Sequence, residues 1–291
     1  MGAPELSVVI PVYNAATTID SQLGALATQR DAPAWELIIA DNGSTDGTNE
    51  RIDRWRYALP NLRVIDASQK RGPACARNVG IKASRTRVWA ACDADDVVSP
   101  HWVSAMAHAL RSHEFVTGPL DDVSLNLRSA VRERHPTSDG TPRIFSDYLP
   151  FAPTSNVGAT RELFDRIGGF NDSLWMGEDV DFSWRAQLSG ATLIFDSRAV
   201  IAYRHRERSR DEWRQIHSYA RARVEIFRRY RAQGMPRRPT SLVSRQWAWL
   251  LTRSPMLIVP GKREFRGEWL RMSAKATGHL RGSVEARVLY L

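Results

Sequence analysis

The sequence is poor in cysteine and contains no long apolar run, and both shortages exclude classes of protein. Only two of its 291 residues are cysteines, Cys75 and Cys92, in stretches that indicate buried helix and strand. With no CxxC pair and no histidine cluster around them, neither a disulfide framework nor a zinc site is expected. The longest apolar stretch, residues 247–260, is interrupted by Arg253 and Pro255. It falls well short of the roughly 20 residues that a membrane-spanning helix needs.

The N-terminus lacks the features of a secretory signal, and the chain lacks two common nucleotide-binding signatures. MGAPELSVVIPV has no basic segment ahead of a long apolar one and runs straight into a strand, which predicts a cytoplasmic protein. No GxxxxGK[ST] occurs, and no GxGxxG follows the first strand. Hydrolysis by a P-loop and dinucleotide binding therefore lose their usual sequence support.

What the chain does contain is an ordinary apolar fraction and an excess of positive charge. Hydrophobic residues make up 43%, enough for a globular core, and 41 Lys and Arg against 32 Asp and Glu give a net charge of +9. Such a charge favours acidic partners at long range, including phosphates, nucleic acid and anionic lipid, without selecting among them.

The first half alternates β-rich runs with helical patterns, which predicts an α/β fold with a mainly parallel, Rossmann-like sheet flanked by helices. Helices are indicated by the spacing of Ile19, Leu23 and Leu26, and by prolines at predicted helix starts, Pro73 and the Ser99-Pro100 pair. The predicted strands are LSVVIPV (6–12), ELIIA (36–40), LRVIDA (62–67), VWAAC (88–92) and EFVTG (114–118).

The second half is less regular. Residues 120–153 lose periodicity and indicate a surface excursion. A short helix closed by a glycine pair follows at 161–170, then a helix starting near Glu178, and two strand-like runs, TLIF and AVIA.

Polar residues follow three of the predicted strands at the points where these strands end. They are Pro11, Tyr13 and Asn14, then the turn 41–47, then the loop 93–96. Ligands of open α/β sheets bind outside the carboxyl ends of the strands, so these side chains are the first candidates for a site. The 41–47 segment is also explained by ordinary turn and capping chemistry.

The loop Asp93-Ala94-Asp95-Asp96 places three carboxylates in four residues after an apolar strand. They repel one another unless a cation or hydrogen-bond donors compensate them. A magnesium or manganese ion with bound phosphates would do so, because hard divalent cations take oxygen ligands. The alternative is a solvated acidic loop before a helix cap.

Two further segments have residue patterns that suit anion binding or proton transfer. Residues 70–80 resemble a phosphate-cradling helix start, although a capped helix with Arg77 on its surface has the same pattern. The Glu178-Asp179 pair opens a helix, whose dipole is expected to help keep a carboxylate ionised, as a catalytic base requires. The alternative is two acids that merely favour a helix N-terminus.

Together these segments resemble the family 2 glycosyltransferases of the GT-A fold, over roughly Ser7 to His205. The resemblance rests on seven motifs in the family's order: VVIPVYN, IADNGSTDGT, GPACARNVG, DADD, TSNVG, GGFND and GEDVDF. It implies an inverting enzyme that takes a sugar from a nucleotide-diphosphate sugar, with a UDP-sugar expected and Mn²⁺ or Mg²⁺ as the metal.

The resemblance also implies roles for individual residues. Asp179 would be the catalytic base and Glu178 would orient hydroxyl groups. The metal ligands would be Asp95, Asp96 and His205, the last of which could equally be an ordinary histidine. Many members have two acids where this chain has Asp41-Asn42, which leaves the base contact open. The donor-binding residues would be Pro11, Tyr13, Asn14, Asp41, Asn42, Ser44, Lys70, Gly72, Arg77, Asp93, Ala94 and Asp95.

The predicted domain organisation is a glycosyltransferase domain at 1–205, with a nucleotide-binding half (1–118) and an acceptor-side half (119–205), followed by a basic helical region at 206–291. Residues 204–238 contain twelve arginines against four acids. Trp213, Ile216, Ala220, Val224 and Phe227 recur at helical spacing, which predicts an amphipathic helix.

This C-terminal region has three explanations from sequence. Basic residues beside tryptophans and leucines suit an anionic membrane surface, which predicts a peripheral protein at the inner face of the cell membrane. They would equally cover the domain or form a homo-oligomer contact. No nucleic-acid-binding motif is present, so nucleic acid is not expected as a partner.

The sequence therefore favours transfer of a sugar to a polysaccharide, glycolipid or lipid-linked acceptor. Two alternatives stay open at this point: a sugar nucleotidyltransferase, whose glycine- and arginine-rich loop is absent after the first strand, and a non-catalytic nucleotide-sugar-binding module at a membrane.

Overall fold

The computed structural model describes residues 2–126, 140–205, 209–259 and 261–290. These form two compact units. The first consists of residues 1–145, 150–174 and 178–205, and the second of 146–149, 175–177 and 206–291. The division after His205 falls where the sequence places a domain boundary. The assignment of 146–149 and 175–177 to the second unit has no signal in the sequence.

The first unit is built on a seven-stranded sheet. Its strands are β1 (Leu6–Val12), β2 (Trp35–Asp41), β3 (Leu62–Asp66), β4 (Val88–Ala91), β6 (Phe115–Thr117), β10 (Val157–Thr160) and β11 (Ile194–Phe195). Across the sheet they lie in the order β11-β6-β10-β4-β1-β2-β3, and all neighbours are parallel except that β10 runs antiparallel to β4 and β6. The predicted mainly parallel sheet is confirmed. Strands from both predicted halves, 1–118 and 119–205, belong to this sheet.

Helices of this unit accompany the strands along the chain. They are α1 (Ile19–Ala27), α2 (Thr48–Asp53), α3 (Pro73–Lys82), α4 (Trp102–Leu110), α5 (Arg161–Ile167) and α6 (Glu178–Leu188). Pro73 begins α3 as predicted, and Gly168 ends α5 in a left-handed conformation. The Ser99-Pro100 pair instead forms a turn, in which the Trp102 N–H donates to the Ser99 carbonyl at 3.1 Å, so α4 starts two residues later than predicted.

Close packing of α3 on the sheet depends on a glycine. A Cβ at Gly80 would lie 2.5 Å from Cγ1 of Val9 and 3.3 Å from Cβ of Ala40. Only a residue without a side chain lets α3 approach β1 and β2 this closely. On the same helix Cys75 is only half-buried, whereas Cys92 is fully buried as predicted, and both are free thiols.

The irregular segment 120–153 contributes three short strands, and its central part, residues 127–139, lies outside the described residues. The strands are β7 (Leu120–Asp121), β8 (Arg143–Ile144) and β9 (Pro150–Phe151). A small second sheet of order β5-β12-β7 combines β7 with β5 (Val97–Val98) and β12 (Ile201–Ala202). In this sheet β5, directly after the acidic loop, pairs with β12, which lies just before His205.

The second unit is helical, as the sequence predicts. It contains α7 (Ser209–Tyr230), α8 (Thr240–Arg253) and α9 (Arg263–Glu285), with short 3₁₀ turns at Arg231–Gln233 and Ser254–Ile258. Ala220, Val224 and Phe227 of α7 are buried, which confirms the amphipathic pattern over the part whose side chains are described. The side chain of Arg210 lies outside that part. None of the helices in the described ranges combines the length and apolar character needed to span a bilayer.

Candidate active site

The carboxyl ends of β1 and β2 are tied together by hydrogen bonds between the loops that follow them. The backbone N–H of Asn14 donates to Oγ of Ser44 at 3.0 Å, and the N–H of Thr45 donates to Oδ1 of Asn14 at 2.8 Å. Asn14 has a positive φ of 50°, a conformation that Asn tolerates better than most residues. The polar segments that follow the first two strands are therefore joined to each other directly.

Asp41 and Asn42 play different parts in this element. Oδ1 of Asp41 accepts from Oγ of Ser44 at 2.6 Å, and the carboxylate is half-buried. Asn42 is buried, with Oδ1 accepting from the Gly72 N–H at 2.9 Å and Nδ2 donating to the Lys70 carbonyl at 2.9 Å. Asn42 thus positions the loop before α3. An ionised aspartate in place of Asn42 could not donate to the Lys70 carbonyl. This is a physical reason why the chain has Asp41-Asn42 where many family members have two acids.

The loop before α3 presents cations and an aromatic ring. The guanidinium of Arg71 lies 4.6 Å from the ring centroid of Tyr13, whose side chain is 49% exposed. Nζ of Lys70 lies 2.9 Å from Oδ1 of Asp172. Gly72 precedes α3 with a φ of 133°, a backbone conformation that L side chains rarely adopt. Pro11 is half-buried within β1.

The acidic loop after β4 is held from two sides. The Gln22 side chain in α1 donates to the Asp93 carbonyl at 2.9 Å and accepts from the Val98 N–H at 3.0 Å. From the segment after β12, the Arg204 N–H donates to Oδ1 of Asp96 at 2.8 Å, and Nε of Arg204 donates to the Asp95 carbonyl at 2.8 Å. These bonds fix the loop before any ligand arrives.

The carboxylates of this loop fit a divalent cation. One oxygen from each of Asp93, Asp95 and Asp96 lies within 4.8 Å of the others. Oδ2 of Asp96 is buried and has no hydrogen-bond partner among the described residues. Burial, reinforced by the charge of Asp93, raises the pKa of Asp96 to about 9. A hard cation would compensate this repulsion with the oxygen ligands it prefers.

Of the predicted metal ligands, Asp95 and Asp96 lie in this group, and Asp93, predicted to contact the donor, lies in it too. Ala94, buried between them, can offer only its backbone. His205 is not in this group of acids: its Nε2 lies 3.0 Å from Oδ1 of Asp122, and its backbone N–H donates to Oδ1 of Asn126 at 2.7 Å. Its role as a ligand stays a prediction.

Arg77 links the acidic loop to the start of α6. Its guanidinium is 3% exposed, with Nη2 2.5 Å from Oδ1 of Asp93 and Nη1 3.2 Å from Oε1 of Glu178. The sequence predicts a contact between Arg77 and the donor or its phosphates. In the structure this side chain contacts two carboxylates, and its contact with the donor stays a prediction.

Glu178 and Asp179 begin α6, where the Val180 N–H donates to Oδ1 of Asp179 at 2.8 Å. Burial, and then the charge of Glu178, raise the pKa of Asp179 to about 7. Burial also raises the pKa of Glu178, although Arg77 opposes the shift. Desolvation and the repulsion between the two acids thus act against the effect expected from the helix dipole.

Sequence reasoning missed several residues that position the site. Gln22 lies on the otherwise apolar buried face of α1, beside Leu23, and a buried polar residue in such a stripe is the signal that could have identified it. Asn78 holds the turn before α6: it donates to the Phe170 carbonyl at 2.8 Å and accepts from the Phe170 N–H at 2.9 Å. Arg204 follows a predicted strand, and no sequence pattern around it indicates a role in the site.

Two protein-family models match the chain. The model of "Glycosyl transferase family 2" matches residues 7–168, and that of "Glycosyl transferase family group 2" matches residues 90–270. Glycosyltransferase AglE of Haloferax volcanii is 29% identical over 197 residues, which cover 66% of this chain and 64% of that protein. The chain thus spans less than two thirds of this curated relative.

Solved structures show the same fold. Mannosyltransferase PcManGT from Pyrobaculum calidifontis, in complex with GDP-Man and Mn²⁺, superposes with a TM-score of 0.64 at 19% identity, covering 95% of this chain and 87% of that one. S. aureus TarS 1-349 in complex with UDP-GlcNAc gives 0.56 at 18% identity, covering 99% and 93%. Both family models describe glycosyl transferases, which favours that interpretation over the nucleotidyltransferase alternative. The chain belongs to glycosyl transferase family 2, and it has a GT-A fold.

Proposed function

We propose that this protein is an inverting glycosyltransferase that moves a sugar from a UDP-sugar to a hydroxyl group of a polysaccharide, glycolipid or lipid-linked acceptor. The observation that carries the proposal is the chain of contacts from the carboxylate cluster through Arg77 to the Glu178-Asp179 pair. These contacts hold the start of α6, which carries the candidate base Asp179, against the carboxylates that could bind a metal-diphosphate.

In the proposed reaction the acceptor hydroxyl oxygen attacks the anomeric carbon on the face opposite the diphosphate. The new C–O bond forms as the bond from the anomeric carbon to the diphosphate oxygen breaks, and the leaving nucleoside diphosphate takes the electron pair. Asp179 accepts the hydroxyl proton, which requires its ionised form. Arg77 contacts both Glu178 and Asp93, and through Glu178 it holds the start of α6 close to Asp93.

Asp93, Asp95 and Asp96 are the residues that would hold Mn²⁺ or Mg²⁺. When bound, such an ion would neutralise charge that develops on the leaving diphosphate. The N-terminus of α3 and the side chains of Lys70 and Arg71 add positive potential beside the loop of Asn42. Tyr13 offers an exposed ring on which a nucleobase can stack.

UDP is proposed as the nucleotide because the TarS structure that binds UDP-GlcNAc aligns with 99% of this chain. The mannosyltransferase bound to GDP-Man makes guanosine the competing choice. A panel of UDP- and GDP-sugars, with Mn²⁺ and release of nucleoside diphosphate as the readout, tests the proposal. We expect release with a UDP-sugar, and no release from any donor would contradict transferase activity.

Asp95→Asn tests the metal. We expect the variant to lose manganese-dependent donor binding by about 10²-fold or more, because metal stabilisation is worth several kcal/mol. Isothermal titration of UDP-GlcNAc with Mn²⁺ and with EDTA measures the loss. Asp165→Asn, an exposed acid paired with Arg161, is the matched control and should bind normally. Equal affinity of both variants would remove Asp95 from the metal site.

The pKa of Asp179 predicts the pH profile. Its pKa is raised to about 7, so the base is protonated and inactive below that value. We expect kcat/KM to rise about tenfold per pH unit below about pH 7 and to level off above it, because this parameter reports the free enzyme. Initial rates at limiting donor and acceptor measure it. A flat profile between about pH 5.5 and 8 would contradict Asp179 as the base.

We also propose that the protein associates with the inner face of the cell membrane. The support is a set of exposed apolar side chains beside cations on and after α8, among them Leu251, and Ile258 at 85% exposure. The Arg253 guanidinium lies 5.8 Å from the Trp249 ring in the same stretch. Apolar and cationic groups on one surface suit an interfacial helix.

A further inference from the structure

In the second unit, α8 and α9 pack side by side as a helical hairpin. Nε2 of Gln246 donates to the Met272 carbonyl at 3.1 Å, and Nε1 of Trp269 donates to the Leu250 carbonyl at 3.1 Å. The contacts on α9 move toward its start as those on α8 move toward its end, so the two helices run antiparallel. The residues that connect them, described at 254–259 and 261–262, therefore form the tip of the hairpin.

The hairpin tip is apolar and exposed. Residues 256–259 are Met-Leu-Ile-Val, and the side chain of Ile258 is 85% exposed. Val259 beside it is exposed as well, and so is Leu251 near the end of α8. Several large apolar side chains gathered at one end of a structural element are typical of an interaction surface, whereas single ones are not.

An arginine of α9 supplies hydrogen-bond donors to the backbone of the tip. Nε of Arg266 donates to the Leu257 carbonyl at 2.9 Å, and its Nη2 donates to the Val259 carbonyl at 3.0 Å. The Val259 N–H in turn donates to the Met256 carbonyl at 3.3 Å. Peptide groups that leave water without a partner are costly. Because these carbonyls are already paired, the tip can enter an apolar phase at a lower cost.

Cations and an aromatic ring lie just behind the tip. The guanidinium of Arg253, at the end of α8, lies 5.8 Å from the centroid of the Trp249 ring. Lys262 directly precedes α9, and Arg266 lies in its first turn. From residue 253 to residue 270 the chain carries four basic residues against two acids. Tryptophan rings and basic side chains are the groups that lie at head-group level when neighbouring apolar side chains enter a bilayer.

We propose that the hairpin tip is a wedge that inserts its apolar residues 256–259 into an anionic bilayer, with Arg253, Lys262 and Arg266 at the level of the lipid phosphates. The proposal rests on the membrane association proposed above and assigns that association to one structural element. An insertion of about 5–10 Å is usual for interfacial elements. At about 1.5 Å of rise per helical residue, this depth covers the tip and little of either helix.

The surplus of cations favours a lipid surface over a second copy of the chain as the group that covers the tip. Each basic residue near an anionic surface is attracted to it. Two copies that met through their tips would instead bring like charges together, which opposes association.

Ile258→Ser tests the wedge by sedimentation with vesicles of phosphatidylcholine and phosphatidylserine. We expect its partition coefficient to fall about tenfold, because a large apolar side chain no longer leaves water. The matched control is Val284→Ser, which makes a comparable change at a β-branched residue that is 70% exposed near the other end of α9. It should bind like the parent. Both sites are exposed, so both variants should keep the Tm of the parent.

A fluorescent label distinguishes insertion from adsorption to the surface. Ile258→Cys and Val284→Cys are each made with Cys75→Ala, since Cys75 is half-buried while Cys92 is fully buried. Each variant carries an environment-sensitive dye on the introduced thiol. We expect the emission of the dye at position 258 to shift to the blue when the vesicles are added, and that at position 284 to stay as in water.

The outcomes separate the wedge from the association on which it rests. Equal binding of both serine variants, with the dye at position 258 still in water, would overturn the wedge and leave membrane association standing. Absence of vesicle binding by the parent would overturn both. Self-association of the parent without lipid that Ile258→Ser abolishes would show that a second copy covers the tip, and would also overturn the wedge. None of these results depends on the sugar-transfer assay.

Discussion

Asp179→Asn is expected to lower kcat by about 10²- to 10⁴-fold, the usual contribution of a general base, while leaving UDP-sugar affinity nearly unchanged. Asparagine has nearly the same shape, and its side-chain oxygen can still accept from the Val180 N–H, a bond of 2.8 Å in the parent. It cannot take up the acceptor proton. Single-turnover rates with saturating donor, together with titration of the donor, separate the two effects.

Asp165→Asn serves as the control, since it makes the same chemical change on an exposed surface of α5. It should keep parental turnover. If Asp179→Asn also turned over normally, the base would have to be another group and Asp179 would be a structural acid. A loss of donor affinity equal to the loss of rate would instead place Asp179 in donor binding.

Arg77→Met is expected to lower the free energy of unfolding of the first unit by about 3–5 kcal/mol, the range for breaking a buried ion pair by removing one partner. The guanidinium is 3% exposed and contacts both Asp93 and Glu178. Methionine fills part of the volume but leaves two carboxylates facing each other without the charge between them. Urea unfolding followed by far-UV circular dichroism measures the change, and donor binding should fall with it.

The comparison variant is Arg56→Met, which removes an exposed arginine that contacts Asp53 at 2.8 Å. Exposed pairs contribute about 1 kcal/mol or less, so this variant should unfold close to the parent. If the two variants lost similar stability, Arg77 would not be the central link of the site. Normal donor binding in Arg77→Met would contradict its role in positioning Asp93.

Structural features that depend only on neighbouring residues in the chain were predicted correctly from the sequence. The apolar run of β1, the proline that starts α3 and the glycine that ends α5 each depend on neighbours in the chain, and all were predicted. The polar residues at strand ends were identified as well, because parallel strands bring their carboxyl ends to one edge. Prediction failed at Ser99-Pro100, where a turn precedes the helix.

What could not be predicted is the direction in which a side chain points and what it meets far along the chain. Arg77 pairs with Glu178, 101 residues away, and Gln22 reaches the Asp93 carbonyl, 71 residues away. Nothing local distinguishes such an arginine from one that faces a ligand. The raised pKa of Asp179 could not be predicted for the same reason, since burial is a property of the packed site.

The small sheet β5-β12-β7 also determines how the molecule can be divided. The family match that ends at residue 168 omits α6, the edge strand β11, and β12 with the arginine that holds the acidic loop. A fragment cut there would retain the three carboxylates but lose the backbone donor to Asp96 and the candidate base. The shortest piece that preserves both therefore extends through Arg204, so any dissection of the protein into parts has to keep residues 169–204 together with the acidic loop.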